Sequence, residues 1–160
     1  MDHRTNFLKK VITSIYDIKV FSKYAKEGFF RSISYAMLLT LILAIIRSAF
    51  AVYRNNNFEL NFFTSTIITN FGMSFLNLLF DCLIVSVVSS LFAIFMRMVV
   101  KHIALYSLTL YAATLPLMVQ IILEIFNPNM SFDTMFIVGT LTYVILILKY
   151  IKDEIIKKLT

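Results

Sequence analysis

Four polar side chains stand out because each lies within a long apolar run. Asp81 is the only charged residue between residues 60 and 96, and Arg47 interrupts the preceding apolar run. Gln120 and Glu124 lie one turn apart in the following run. An ionisable group inside a membrane-spanning helix is costly, pairs with other polar groups and marks a functional site by default. These residues therefore predict ion pairing or the binding of a small polar ligand.

The estimated depths of these residues predict that they meet. Counted from the middle of its own span, each of Arg47, Asp81 and Gln120 lies about five residues outward, roughly 7 to 8 Å at the helical rise. Because an isolated charge at a helix centre costs about 2.5 to 3.5 kcal/mol, we expect Arg47 to pair with Asp81. Gln120 would be a further hydrogen-bonding partner, and Glu124 is near enough to join. Two interpretations stay open: the pair staples two helices together, or the cluster lines a pocket that opens outward and binds an ion, a headgroup or a small solute.

A second pattern, deeper in the same apolar run, consists of small residues at spacings of four, three and four. Its members are Cys82, Ser86, Ser89 and Ala93. Such a face lets helix backbones approach closely, so it predicts packing inside the bundle or, alternatively, contact with a second copy or a partner. Cys82 is the one cysteine of the chain, and we interpret it as a small buried residue rather than a nucleophile.

The composition predicts a membrane protein. Of the 160 residues, 59% are hydrophobic and 15% are charged, and the mean hydropathy is +0.82, outside the usual range of soluble proteins. The net charge of +6 then indicates contact with anionic lipid headgroups rather than with nucleic acid. One cysteine and two histidines exclude a disulfide framework and a Cys/His metal site of known spacing. Nucleotide-binding, hydrolase and metalloprotease motifs are missing, so we expect a non-enzymatic protein without a cofactor.

The N-terminal segment, residues 1–28, carries an amphipathic pattern. Its apolar positions recur at helical spacing: Phe7, Leu8, Val11, Ile12, Ile15 and Ile18. Lys9, Lys10, Thr13 and Asp17 take the opposite side. Since the apolar length is too short to span a bilayer, this pattern predicts a helix in the cytoplasmic headgroup region; a helix packed on a partner protein is the alternative.

Four apolar stretches have the length of membrane-spanning helices. We place the spans at about 31–53, 74–98, 103–126 and 134–151. The stretch 61–71 is predicted to be an outer interfacial or re-entrant piece joined at Gly72, or else the start of one long tilted helix. Pro116, near the middle of the third span, predicts a kink because proline removes one backbone hydrogen bond.

The distribution of basic residues predicts the orientation. Thirteen of the fifteen Lys and Arg residues lie before or at the start of the first span, at or near the turn between the second and third spans, or at the end of the fourth span and in the C-terminal tail, whereas Arg54 alone lies on the other side. The positive-inside rule then places both termini in the cytoplasm. With neither a repeat nor a Pro/Gly/Ser-rich linker, residues 1–160 form one domain. The predicted fold is an all-α integral membrane four-helix bundle in the cell membrane, with an N-terminal amphipathic interfacial helix.

Two segments resemble a family of small multi-pass membrane proteins from Gram-positive bacteria. They are SIYDIKVFSKYAKEGFFRSISYAMLLTLI, residues 14–42, and LTLYAATLPLMVQIIL, residues 108–123. The family is a domain of unknown function, sometimes labelled maltodextrin-utilisation protein and grouped with the Yip-type membrane proteins. The resemblance implies the same multi-pass topology. Members usually carry a larger outer domain between the first two spans, where this chain has only about residues 54–73, and the resemblance implies no established activity.

Three functions are compatible with these patterns. The first is an accessory or scaffold subunit that acts through helix-helix contacts with another membrane protein or a second copy. The second is a small transporter, channel or lipid-handling protein that uses Arg47, Asp81, Gln120 and Glu124. The third is an immunity protein against a membrane-active toxin, for which the sequence offers no diagnostic residue. Flux measurements on variants of the polar cluster would separate the second from the first.

Overall fold

Helices form all the regular structure in the part of the chain that the computed structural model describes, residues 7–24, 27–55, 60–127 and 130–159. In chain order they are α1 (Phe7–Tyr16), a 3-10 turn (Ile18–Val20), α2 (Phe21–Tyr24), α3 (Phe29–Asn55), α4 (Leu60–Phe95), α5 (His102–Ala112), α6 (Thr114–Phe126) and α7 (Asp133–Leu159). This confirms the predicted all-α fold.

Four helical segments are long and apolar enough to cross a membrane. They cover Phe29–Arg54, Asn61–Phe95, His102–Phe126 and Asp133–Lys157, the third being α5 and α6 together. Successive segments run antiparallel, so the bundle has two ends. We call the basic end the one where residues 96–101 connect α4 to α5 and where α7 terminates. At the opposite end, α3 leads to α4 and α6 leads to α7.

The second span is one continuous helix, which differs from the predicted joint at Gly72. Helix α4 has 36 residues, and Gly72 lies within it with open space where a Cβ would stand. The helix continues because its outer part still packs on α3: the Asn70 side chain donates a hydrogen bond to Ser48 Oγ at 3.0 Å. The alternative of a single long helix is therefore the one that the structure supports.

The third span is interrupted at Ala113, three residues before Pro116. Pro116 has no N–H to donate to the carbonyl one turn earlier, so the helical ladder breaks there. The hydroxyl of Thr114 donates to the Tyr111 carbonyl at 2.7 Å, which satisfies a backbone acceptor beside the break. Helix α7 approaches this point at Gly139, where an added Cβ would lie 3.6 Å from the Cβ of Pro116.

Helix α4 ends at the basic end in a Schellman motif. The Met98 N–H donates to the Ala93 carbonyl at 2.9 Å and the Arg97 N–H donates to the Ile94 carbonyl at 2.8 Å. This motif requires a left-handed residue after the helix, a position that glycine usually occupies. Arg97 occupies it here with φ 57°.

Helix α1 packs against the bundle, which differs from a helix lying flat in the headgroup layer with its lysines outward. Lys10 is only 5% exposed, whereas Ile12 and Tyr16 on the other side are exposed. The ring of Phe7 lies 5.4 Å from that of Tyr35 in α3. Helix α1 also contacts α5 and α6. The charge of Lys10 tolerates this position because an acidic partner and two tyrosine rings surround it, as described below.

Candidate functional site: a polar cavity within the bundle

A cavity of about 120 Å³ lies between α3, α4, α6 and α7. Its floor and walls include apolar residues such as Leu43, Leu117 and Phe136. The polar residues that line it are Thr40, Arg47, Ser74, Asn77, Asp81, Gln120, Glu124 and Asp133. All four side chains that the sequence singled out therefore line one space, together with polar groups from each of the four spans.

The ion pair in this cavity joins Arg47 to Glu124, which corrects the predicted pair between Arg47 and Asp81. The guanidinium also donates to Ser74 Oγ at 3.1 Å. Ser74 precedes Asp81 by two helical turns, about 10 Å along α4. The prediction was wrong because it took 74–98 as the second span. The true helix begins at Leu60, so its middle lies closer to Asp81 and the carboxylate sits deeper than its predicted depth.

Gln120 connects the remaining acidic groups. Its amide donates to Glu124 Oε1 at 3.0 Å and to Asp133 Oδ1 at 3.0 Å. Gln120 is 8% exposed, so this buried amide holds both carboxylates in place. The sequence analysis missed Asp133 because it lies at the start of a span rather than inside one. An acidic residue in the first turn of α7 was the pattern that could have indicated it.

Asp81 differs from the other carboxylates because it has no hydrogen bond or ion pair among the described residues. It is half-buried on the wall of the cavity. The cavity therefore contains three carboxylates and one guanidinium, and only one of the carboxylates is neutralised by direct pairing with a cation. Its electrostatic character favours a cationic ligand. No group of three or more His, Cys, Asp or Glu residues with metal-binding geometry occurs in the described ranges.

A wider vestibule of about 720 Å³ opens at the opposite end of the bundle. Its lining is mostly apolar and aromatic: Phe50, Ala51, Tyr53, Ile125, Phe126 and Met130, with Arg54 and Ser131. Arg47 and Glu124 line this vestibule as well as the polar cavity. The ion pair between them therefore lies in the wall that the two spaces share.

The small-residue face of α4 is buried inside the chain's own bundle. Cys82 and Ser89 are fully buried, and Ser86 and Ala93 nearly so. Close packing of α4 on its neighbours explains this face, because the described helices already cover it. It is not exposed to a second copy or to another protein.

Comparison with known proteins assigns the chain to a family. The family model for a protein of unknown function, DUF1189, matches residues 54–148, which is more than half of the 160 residues. The chain belongs to this family. The DUF1189 match covers α4, α5 and α6 and reaches into α7, so it includes Asp81, Gln120 and Glu124 but not Arg47. Neither a curated protein nor a solved structure matches the chain.

Proposed function

We propose that this protein binds a small monovalent cation in the polar cavity and conducts it across the cell membrane. The observation that carries this proposal is Asp81, a carboxylate without a bonded partner on the wall of a cavity inside the spans. A charged group in that position is costly unless a ligand or another charge compensates it. A volume of about 120 Å³ suits a small cation with a few waters, since one water occupies about 30 Å³ in the liquid.

The wall between the vestibule and the polar cavity would control the passage of the cation. The vestibule would collect the cation from the aqueous side, and the pair between Arg47 and Glu124 would have to part before the cation reaches Asp81. Gln120 holds Glu124 and Asp133 by hydrogen bonds, so these carboxylates would stay in the cavity wall when the ion arrives. Asp81 is one carboxylate without a bonded partner on the cavity wall, and one monovalent cation would balance its charge, whereas a divalent cation usually takes several oxygen ligands.

The orientation belongs to the same proposal. Lys and Arg residues gather at the basic end, so this end would face the cytoplasm and the vestibule would face outward. Both termini would then be cytoplasmic. On this proposal the protein is not an enzyme, and the only molecules it must contact are the bilayer lipids and the cation.

Flux measurements in proteoliposomes test the proposal. Purified protein is reconstituted, and the entry of Na⁺, K⁺ and ammonium is followed against protein-free liposomes. We expect flux of at least one of these cations with the unmodified chain and its loss with Asp81→Asn. The matched control is Asp153→Asn, an exposed aspartate of α7 away from the cavity, which should retain flux. Flux equal to that of protein-free liposomes, or unchanged flux with Asp81→Asn, would overturn the proposal.

A non-enzymatic accessory role is the second candidate, and one observation favours it. The first half of α4 has large apolar side chains that the bundle leaves exposed, including Phe62, Ile68 and Met73. A partner helix could cover them. Purification in mild detergent of the unmodified chain and of Ile68→Ser tests this role: a co-purifying membrane protein that is lost with the variant supports it, whereas a lone monomer in both cases contradicts it.

A further inference from the structure

A second cluster of charged and polar groups lies at the basic half of the bundle, away from the cavity. The Lys10 ammonium contacts Glu27 Oε2 at 2.5 Å, and the Tyr111 hydroxyl donates to the same oxygen at 2.6 Å. The ammonium also lies 5.2 Å from the centre of the Tyr111 ring and 5.4 Å from that of Tyr24. The Lys10 ammonium of α1 is therefore buried in the bundle, and the Glu27 carboxylate and the faces of two tyrosine rings compensate its charge.

The surface beneath α1 is rich in hydroxyl groups. The Tyr143 hydroxyl of α7 donates to the Ser14 carbonyl of α1 at 3.0 Å, and the Ser14 hydroxyl is buried without a hydrogen-bond partner. Tyr35 of α3 bonds Thr114 of α6 at 2.9 Å. Each of these hydroxyls can bond water when α1 is absent. The contact also includes apolar side chains, because Val11 is buried and Phe7 and Ile15 pack against the core. The hydroxyls lower the cost of exposing this face to water relative to a wholly apolar helix interface.

This hydroxyl-rich surface lies directly behind the polar cavity. Thr40, which lines the cavity, follows Tyr35 by five residues on α3, and Leu117, which also lines it, follows Thr114 by three residues on α6. These offsets correspond to about 5 to 8 Å along the helices. Helix α1, which contacts α5 and α6, therefore lies on the basic-end side of the cavity, and the pair between Arg47 and Glu124 lies in the wall on the vestibule side.

We propose that α1 is a displaceable lid over the basic end of the cavity and that the contact of Lys10 with Glu27 is its latch. The proposal rests on the proposed function in one respect, since the lid would control the exit of the cation bound at Asp81. Breaking the latch frees Lys10 and Glu27 to be hydrated and lets water reach the tyrosine and threonine hydroxyls below. The cavity would then open to the basic end while the pair between Arg47 and Glu124 still closes the vestibule side.

Cysteine labelling measures the position of the lid without any assay of flux. In a Cys82→Ser background, a single cysteine is introduced at Ser14, which is fully buried, or at Ile12, which is 55% exposed on the opposite face of α1. Purified protein in detergent is treated with a charged, water-soluble maleimide. We expect the cysteine at position 14 to react about tenfold more slowly than that at position 12, or slower still, because α1 must open before it reacts.

Removal of the latch tests the proposal itself. Glu27→Gln should bring the labelling rate at position 14 to within about threefold of the rate at position 12. Arg31→Gln is the matched control, since Arg31 is exposed and contacts the same carboxylate at 3.7 Å, and it should leave position 14 protected. Exchange of the two charges, Lys10→Glu with Glu27→Lys, should restore protection.

Two outcomes would overturn the lid. One is equal labelling at positions 14 and 12 in the chain with an intact latch, which would mean that α1 is not docked. The other is continued protection of position 14 in Glu27→Gln. Folding is checked in a separate Glu27→Gln variant that keeps the fully buried Cys82 and has no introduced cysteine. If Cys82 reacts there, Glu27→Gln has unfolded, and Lys10→Met decides by the same criterion. Because labelling is independent of transport, loss of the lid and loss of the proposed function are separate results.

Discussion

Glu124 and Asp81 are both carboxylates of the polar cavity, but their charges are held in different ways. Glu124 contacts the guanidinium of Arg47 and accepts a hydrogen bond from Gln120. Asp81 has neither kind of contact among the described residues. Removing one member of a pair leaves the other charge uncompensated, whereas neutralising an unpaired carboxylate removes a penalty. The two residues should therefore respond oppositely to amide substitution.

Glu124→Gln should destabilise the protein by about 2 kcal/mol. This value is below the roughly 3 to 5 kcal/mol of a fully buried pair, because the Arg47 and Glu124 side chains are 31% and 23% exposed. Asp81→Asn should leave the free energy of unfolding unchanged within about 0.5 kcal/mol or raise it slightly. Thermal unfolding in detergent measures both. A loss of stability in Asp81→Asn as large as that in Glu124→Gln would give Asp81 a structural partner.

Residue types and apolar runs were enough to place Arg47, Asp81, Gln120 and Glu124 in the same part of the bundle. They were not enough to say which of them touch. Pairing depends on the register between helices, and the predicted start of α4 was wrong by about four turns, so Asp81 was predicted as the partner of Arg47 in place of Glu124. Apolar composition changes gradually at a helix end in a membrane protein, so it sets register only to within several residues.

The crossing of α6 and α7 is fitted to a small side chain at one position. Gly139 of α7 lies against Pro116 of α6, with room for a single added carbon at ordinary contact distance. Gly72 in α4 has no neighbour within 4 Å. The two glycines therefore form a matched pair, in which packing limits the size of a side chain at Gly139 but not at Gly72.

Gly139→Leu should destabilise the protein by about 1 to 3 kcal/mol, because the larger side chain must displace Pro116 or α7. Gly139→Ala should be tolerated, since a Cβ fits there. Gly72→Leu is the control, because leucine has the same advantage over glycine in helix propensity at both positions. It should not destabilise the protein. Chemical unfolding in micelles compares the three. Equal effects of leucine at both positions would contradict the close approach of α7 to Pro116.

The end of α4 offers a test of backbone strain. A residue other than glycine pays about 1 kcal/mol in the left-handed region, and Arg97 occupies it with φ 57°. Arg97→Gly should therefore be more stable than Arg97→Ala by about 1 kcal/mol, although both lose the same charge. The difference between their unfolding midpoints gives the strain. If the two variants are equally stable, the Schellman geometry carries no measurable cost.

Helix α1 is the element whose placement the sequence could not provide. Its amphipathic pattern gives a helix with two faces, but the face that turns inward depends on what lies beneath it. Here the bundle presents Glu27 and tyrosine hydroxyls, so a lysine is buried and Ile12 is exposed. Most of the apolar pattern did predict burial, since Val11 is buried and Phe7 and Ile15 pack against the core; the burial of Lys10 depends on polar partners that the pattern of α1 does not contain.

The predicted orientation of the whole molecule in the membrane rests on the distribution of its Lys and Arg residues. Ser131 lies between α6 and α7 at the opposite end, and Lys101 lies between α4 and α5 at the basic end; both are exposed. In a Cys82→Ser background, Ser131→Cys should react in intact cells with a membrane-impermeant maleimide. Lys101→Cys should react only after the cells are permeabilised. The reverse pattern would invert the orientation, with the vestibule then facing the cytoplasm.

At this scale the sequence was most informative. The lengths of the apolar runs predicted four membrane-crossing helices. They could do so because backbone N–H and C=O groups must be hydrogen-bonded within the hydrocarbon layer, a constraint that acts on every residue of a span. The cavities could not be predicted from the sequence, because a space of about 120 Å³ depends on how side chains of four helices pack together. Individual residues such as Asp133 join it through tertiary contacts, here a hydrogen bond from Gln120, that the lengths of apolar runs do not encode.

The 36 residues of α4 correspond to a rod of about 54 Å, whereas the hydrocarbon layer is about 30 Å thick. Even at a steep 40° inclination, only about 26 residues fit within that layer. Some ten residues of a largely uncharged helix must then lie among glycerol and phosphate groups, where their apolar side chains are poorly solvated. Lipids with longer acyl chains would cover more of them, so this protein should prefer thick membranes over thin ones and concentrate wherever the two coexist.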